Sequence, residues 1–279
     1  MKKAVLFLIL LAGYHYAVGQ NKIIKLWPGP VPGEKSEKHP AVLRDSLQHV
    51  KRITDITDPL LTVFEPKAPD LHTGIIVAPG GGNKYLSIDM EGDEIADWLS
   101  KLGYTVFVLQ YRVPMKQYGA LQDMQRAIRL IKSQAATLKI DSDKVGVMGF
   151  SAGGNLSART ATSFTKRTYL PIDQSDSASC RPNFSLLIYP GSLSAGPDHK
   201  LSTEITVTKA TPPTFIFVAS DDPYGLPLSL AYALRDNEVP FEMHIFPKGG
   251  HGYGLRKGNK AAEAWPALAA QWLKEYIIK

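Results

Sequence analysis

A single cysteine, Cys180, is the only thiol in this 279-residue chain, so no internal disulfide can brace it. A large hydrophobic core must hold such a chain together. Cys180 lies in a polar stretch (175–182) with no catalytic motif around it, which makes it a bystander. There is no H-E-x-x-H, no cysteine pair and no histidine cluster, so neither a metal nor another cofactor is expected. Lys and Arg outnumber Asp and Glu by 32 to 26 without forming a basic block, so no nucleic-acid partner is expected. Beyond residue 12 no apolar run is long enough to stay in a membrane. Internal repeats and domain-scale linkers are missing too, which points to one main domain.

The apolar run at residues 4–12 follows Lys2 and Lys3 and precedes the small residues Ala17-Val18-Gly19. That order predicts a secretory signal peptide, residues 1–19, with export to the periplasm or the exterior. Residues 20–50 are expected to form an N-terminal arm, because Trp27-Pro28-Gly29-Pro30-Val31-Pro32-Gly33 resists regular structure. Residues 51–279 are expected to form the catalytic domain, a usual size for one α/β unit.

Two β-rich runs, 51–56 and 60–65, flank Thr57-Asp58-Pro59 and predict an antiparallel hairpin. From Thr73 onward, apolar strands alternate with amphipathic helices. The strands are expected at 73–78, 105–111, 145–148, 184–189, 214–219 and 241–246. The helices are expected at 91–102, 120–137, from Ala152, at 226–237 and at 262–278, where Pro266 is tolerable only near the first turn. Residues 192–211 lack periodicity and predict a surface loop with a short helix. Buried strands separated by helices imply an α/β fold: a mainly parallel sheet of about eight strands, covered on both faces.

Chemistry concentrates at Gly149-Phe150-Ser151-Ala152-Gly153, a G-x-S-x-G pattern between a buried strand and a helix. A serine hydroxyl held above a sheet needs a strained turn with side-chain-free neighbours. It also needs a base. His39, His49 and His72 precede the serine, His199 lies in the irregular loop, and His244 sits inside a strand. His251, in the glycine-rich segment 248–254, follows a strand and is free to swing onto Ser151. The acid is expected at the end of the preceding strand, where Asp221-Asp222-Pro223 stands. Asp222 lies further into the turn and is favoured; Asp221 is then a cap or a solvated group. Backbone donors for an oxyanion are expected from Ala152 and from Gly81 and Gly82 of Pro79-Gly80-Gly81-Gly82. A phosphate-binding reading of that loop fails, since no Ser/Thr follows Lys84.

Together with Glu91-Gly92, Val108-Leu109-Gln110-Tyr111-Arg112, Asp221-Asp222-Pro223 and Gly250-His251-Gly252, these motifs resemble an esterase/lipase branch of the α/β-hydrolases. That branch is related to hormone-sensitive lipase and to bacterial acetyl xylan esterases, and the resemblance runs from about residue 51 to the end. It implies the α/β-hydrolase fold and an acyl-enzyme carboxylesterase that removes short acyl groups, often acetyl groups on plant polysaccharides such as xylan. It also implies the second aspartate of the pair as the acid. Pro79 stands where the family usually has histidine. No large insertion suggests a lipid lid, which favours short acyl chains. Tyr85, Tyr224 and Tyr253 flank the catalytic loops as candidate sugar contacts. Two other readings stay open: a prolyl-oligopeptidase-like peptidase, and a non-catalytic carbohydrate-binding protein on the same scaffold.

Overall fold

The apolar runs expected as strands from Thr73 onward all become strands; those at 74–78, 145–150, 185–188 and 214–219 are buried along their whole length, while 241–246 is part-exposed at the sheet edge. The structure, a computed structural model, describes residues 22–195 and 198–278, so the expected signal peptide lies outside the described residues. In chain order the strands are β1 (Ile23–Lys25), β2 (Val42–Asp45), β3 (Arg52–Thr54), β4 (Leu60–Phe64), β5 (Gly74–Ala78), β6 (Leu86–Ser87), β7 (Thr105–Gln110), β8 (Val145–Phe150), β9 (Ser185–Ile188), β10 (Ser194–Ala195), β11 (Lys200–Leu201), β12 (Thr214–Ala219) and β13 (Phe241–Phe246). The α-helices are α1 (Glu94–Lys101), α2 (Gln117–Ser133), α3 (Ala152–Thr162), α4 (Leu228–Asp236) and α5 (Lys260–Leu273).

Eight strands form the main sheet in the order β1-β4-β7-β5-β8-β9-β12-β13. β4 pairs antiparallel with β1 and β7, and the remaining neighbours are parallel. This is the α/β-hydrolase fold. Alternation along β12 shows how both faces are filled. Phe215 packs against Trp272 of α5, while Ile216 joins Leu230 and Leu234 of α4 and Ala158 of α3. Trp98 of α1 meets Trp265 of α5 edge-on, with centroids 5.1 Å apart, which places these two helices on one face.

An antiparallel N-terminal hairpin is present, but with different strands from those expected. β3 pairs with β2 and β6 in a small three-stranded sheet, whereas β4 enters the main sheet. The connection from Thr54 to Leu60 contains Asp55 at φ 51° and Pro59, which has no N–H to donate, so it does not make a tight hairpin. The arm is docked rather than loose. Leu26, Trp27 and Val31 are core residues, and Trp27 Nε1 donates to Asp123 at 2.9 Å. Asp123 also receives the Arg112 guanidinium, whose Nη1 donates to Pro32 O. In the stretch 192–211, a two-residue β-pair (β10 with β11) takes the place of the expected short helix. α5 starts at Lys260, capped by Asn259, so Pro266 sits beyond its first turn. The helix runs on through it, held by the buried Trp265, Ala269 and Trp272.

Candidate active site

β8 ends at Phe150 and α3 begins at Ala152, leaving Ser151 alone in the turn at φ 52°, ψ −119°. A non-glycine residue held there stores about 1–3 kcal/mol of strain. Crossing chains enforce the glycines: a Cβ on Gly149 would collide with the Gly153 carbonyl and Ser157 Oγ, and one on Gly153 with the Ala78 carbonyl. Ser151 N–H donates to Ile188 O at 3.2 Å, and Gly191 N–H donates to Ser151 O at 2.7 Å, which ties the turn to β9. As the first helical residue, Ala152 has no intrahelical acceptor for its N–H.

Three of the residues singled out in the sequence meet at Ser151. His251 Nε2 lies 2.6 Å from Ser151 Oγ, and His251 Nδ1 lies 2.8 Å from Asp222 Oδ2. The Asp222 carboxylate is buried and the imidazole is nearly so. Asp221 is a cap: its Oδ1 accepts from the N–H groups of Gly249 (2.9 Å) and Gly250 (2.8 Å). The Gly250 and Gly249 donors hold its carboxyl below the ordinary range. The histidine loop is therefore tied down rather than free to swing. Asn259 Nδ2 also donates to Gly249 O, and Trp265 Nε1 to Gly254 O, both at 2.8 Å.

The glycine loop after β5 sits directly over the serine. A Cβ on Gly80 would lie 2.7 Å from both Ser151 Cβ and Phe150 O. Gly81 and Gly82 have φ values of 143° and 61°, a backbone that side chains disfavour. Tyr111 Oη donates to Pro79 O at 2.6 Å, so a carbonyl anchor supports the loop at Pro79.

One residue central to the site had no assigned role in the sequence. Glu91 is 2% exposed; its Oε2 accepts from Gly80 N–H at 2.7 Å and its Oε1 from Tyr189 Oη–H at 2.9 Å. Burial pushes its carboxyl above the ordinary range. Tyr189 Oη in turn accepts from Gly254 N–H at 2.9 Å, and its ring meets His251 edge-on at 5.1 Å. Burial, reinforced by the Glu91 charge, raises the Tyr189 phenol well above normal. A signal for Glu91 was available: the spacing 88, 91, 95 puts it on the apolar face that leads into α1.

Ser151, His251, Gly81, Gly82 and Ala152 line one open cleft of about 1200 Å³. Tyr85 and Tyr224 line it too, and Tyr224 meets the His251 ring at 4.5 Å. Tyr253 does not. Expected as a sugar contact, it is buried with its ring 4.4 Å from that of Tyr189, because the tied loop folds it inward. Apolar side chains are few along the walls, where Arg44, Arg52, Lys84, Asn155 and Arg256 stand. Such a surface suits a hydrated, polar substrate better than a long acyl chain.

The BD-FAE family profile matches residues 61–185. An acetylxylan esterase of Xylanibacter ruminicola is 30% identical over 243 residues, which are 77% of this chain and 48% of that protein. Endo-1,4-beta-xylanase B of Butyrivibrio fibrisolvens is 32% identical over 205 residues, covering 64% of this chain and 32% of that one. The chain thus spans half or less of the length of these curated relatives. Among solved structures, an acetyl ester-xyloside bifunctional hydrolase from Caldicellulosiruptor lactoaceticus superposes with a TM-score of 0.73 at 29% identity. That superposition covers 93% of this chain and 97% of the other.

Proposed function

We propose, from the premise that this chain is an α/β-hydrolase carrying a BD-FAE domain and homologous to acetylxylan esterase, that it is an exported serine carboxylesterase acting on short acyl esters of saccharides. The observation that carries the reading is the unbroken relay from Ser151 Oγ through His251 to Asp222 at the floor of a polar cleft. Ser151 Oγ attacks the ester carbonyl while His251 Nε2 takes its proton. The negative charge that develops on the carbonyl oxygen is met by the N–H groups of Ala152, Gly81 and Gly82. Asp222 stabilises the imidazolium and holds its tautomer. On collapse, the C–O bond breaks and His251 returns the proton to the departing sugar hydroxyl. Water, deprotonated by the same nitrogen, then releases the acid and frees Ser151.

The polar walls and the relatives' names favour acetyl groups on xylan-type chains. Export rests on the basic start, short apolar run and small residues of 1–19, and no helix among the described residues is long and apolar enough to cross a membrane. The test is acetate release from acetylated xylan, pectin and chitin fragments, set beside nitrophenyl esters of increasing chain length. Turnover should be highest for acetyl and fall with chain length, and a fluorophosphonate probe should label the protein only while Ser151 is present. Labelling that survives Ser151→Ala would sink the mechanism; a preference for long acyl chains would sink the substrate class.

A further inference from the structure

Glu91 takes no part in the hydrolytic steps, yet it touches one of the loops that do and reaches the other through Tyr189. We infer that Glu91 is a positioning residue that locks the oxyanion loop to the histidine loop. The connection is continuous: Gly80 N–H to Glu91, Glu91 to Tyr189 Oη, and Tyr189 Oη to Gly254 N–H three residues past His251. A carboxylate suits the place because both oxygens face donors, and an ionised carboxylate only accepts. Among the described residues it has no ion-pair partner, so these two hydrogen bonds are what hold it in the core.

This inference rests on the serine-esterase reading, and active-site titration keeps the two apart. Glu91→Ala, Glu91→Gln and Tyr189→Phe would be assayed with nitrophenyl acetate, with rates expressed per titrated site and folding checked by circular dichroism. Misplacing catalytic groups by an ångström can cost about 100-fold. Glu91→Ala and Tyr189→Phe should therefore lose about 10–100-fold in kcat with little change in KM. Glu91→Gln, which keeps one acceptor for Gly80, should recover most of that loss. Should Glu91→Ala fail to fold, Tyr189→Phe still decides. Wild-type kcat per titrated site in Tyr189→Phe or in a folded Glu91→Ala overturns the inference, whereas a wild-type protein without a titratable serine overturns the esterase reading itself.

A separate observation concerns another part of the cleft. Two guanidinium groups lie against the Tyr85 ring, Arg44 at 5.0 Å and Arg52 at 5.4 Å. Both arginines share one carboxylate, Asp45, at 3.5 and 2.7 Å, while the neighbouring Lys84 has no ion-pair partner among the described residues. Three cations against one anion leave this shelf positive. We propose that it receives the carboxylate of an acidic sugar, so that acetylated saccharides bearing uronic acid are preferred within the esterase reading. Acetate release would be compared for uronate-bearing oligosaccharides and for the same oligosaccharides after reduction of the carboxyl to an alcohol. A several-fold preference for the acid at low salt should vanish at high salt and in Arg44→Gln/Lys84→Gln. Equal rates in the wild type at low salt, or a preference that survives the double substitution, would refute the shelf. No release from either form would instead refute the saccharide reading.

Discussion

Replacing Asp222 with asparagine keeps the side-chain volume and removes its charge. Asp222 Oδ2 lies 2.8 Å from His251 Nδ1, with the carboxylate nearly inaccessible to water. When Nε2 accepts the serine proton, a full positive charge appears on the ring at that separation. With an effective dielectric of about 20, the attraction is about 6 kcal/mol. At about 1.4 kcal/mol per decade, that sets a ceiling of about four powers of ten in rate. An asparagine can also turn its NH₂ towards Nδ1 and fix the tautomer whose Nε2 bears a proton and cannot accept another. Asp222→Asn is therefore expected to lower kcat by about three to four powers of ten, with KM changed little, since neither atom touches the acyl group. Steady-state hydrolysis of nitrophenyl acetate measures this, and the rate of fluorophosphonate labelling gives an independent reading. Asp221→Asn is the control: it keeps an amide oxygen for Gly249 and Gly250 while losing the charge, and should stay within about tenfold of wild type. An inactive Asp221→Asn beside an active Asp222→Asn would refute the reasoning.

Gly153→Ala should abolish activity and destabilise the fold by about 1–3 kcal/mol or more, because its Cβ meets the Ala78 carbonyl on a strand that cannot retreat. A soluble variant with wild-type kcat and urea midpoint would contradict this. Trp27→Ala empties a fully buried site and removes a donor to Asp123, at a cost of about 3–5 kcal/mol in urea unfolding. A loss below about 1 kcal/mol would mean that the arm is not part of the core. Glu91 also makes stability depend on pH. Burial raises its folded pKa above the ordinary 4.5, so between the two values the folded chain holds a proton that the unfolded chain has released. Stability should fall as pH rises across that window and then level off. Glu91→Gln, with nothing to titrate there, should flatten that slope in denaturant melts, and an unchanged slope would assign it to another group.

The turn at Ser151 was legible because its causes are local: a buried strand, a helix start and two glycines demanded by chains that cross within a few residues. The buried strands were legible for the same reason, since a run with no polar alternation can only lie between two covering layers. His251 followed from the scarcity of histidines after the serine, and the choice between Asp221 and Asp222 from one step along a turn. The partners of β3 and β4 did not follow. Strand pairing is decided by whichever edge is free, and the free edge of β7 lies far along the chain from β4. Nor did the burial of Tyr253, which depends on the five hydrogen bonds that tie its loop to Asp221, Asn259, Trp265 and Tyr189.

The sequence by itself thus determined the fold class and the identity of the groups gathered at Ser151, because periodicity, turn sterics and the short supply of candidate residues all act on neighbouring positions. Only the tertiary structure decided what holds those groups in place. Glu91 and Tyr189 stand 98 residues apart, and Ser151 and His251 stand 100 apart. A buried carboxylate takes its meaning from the donors that folding brings to it.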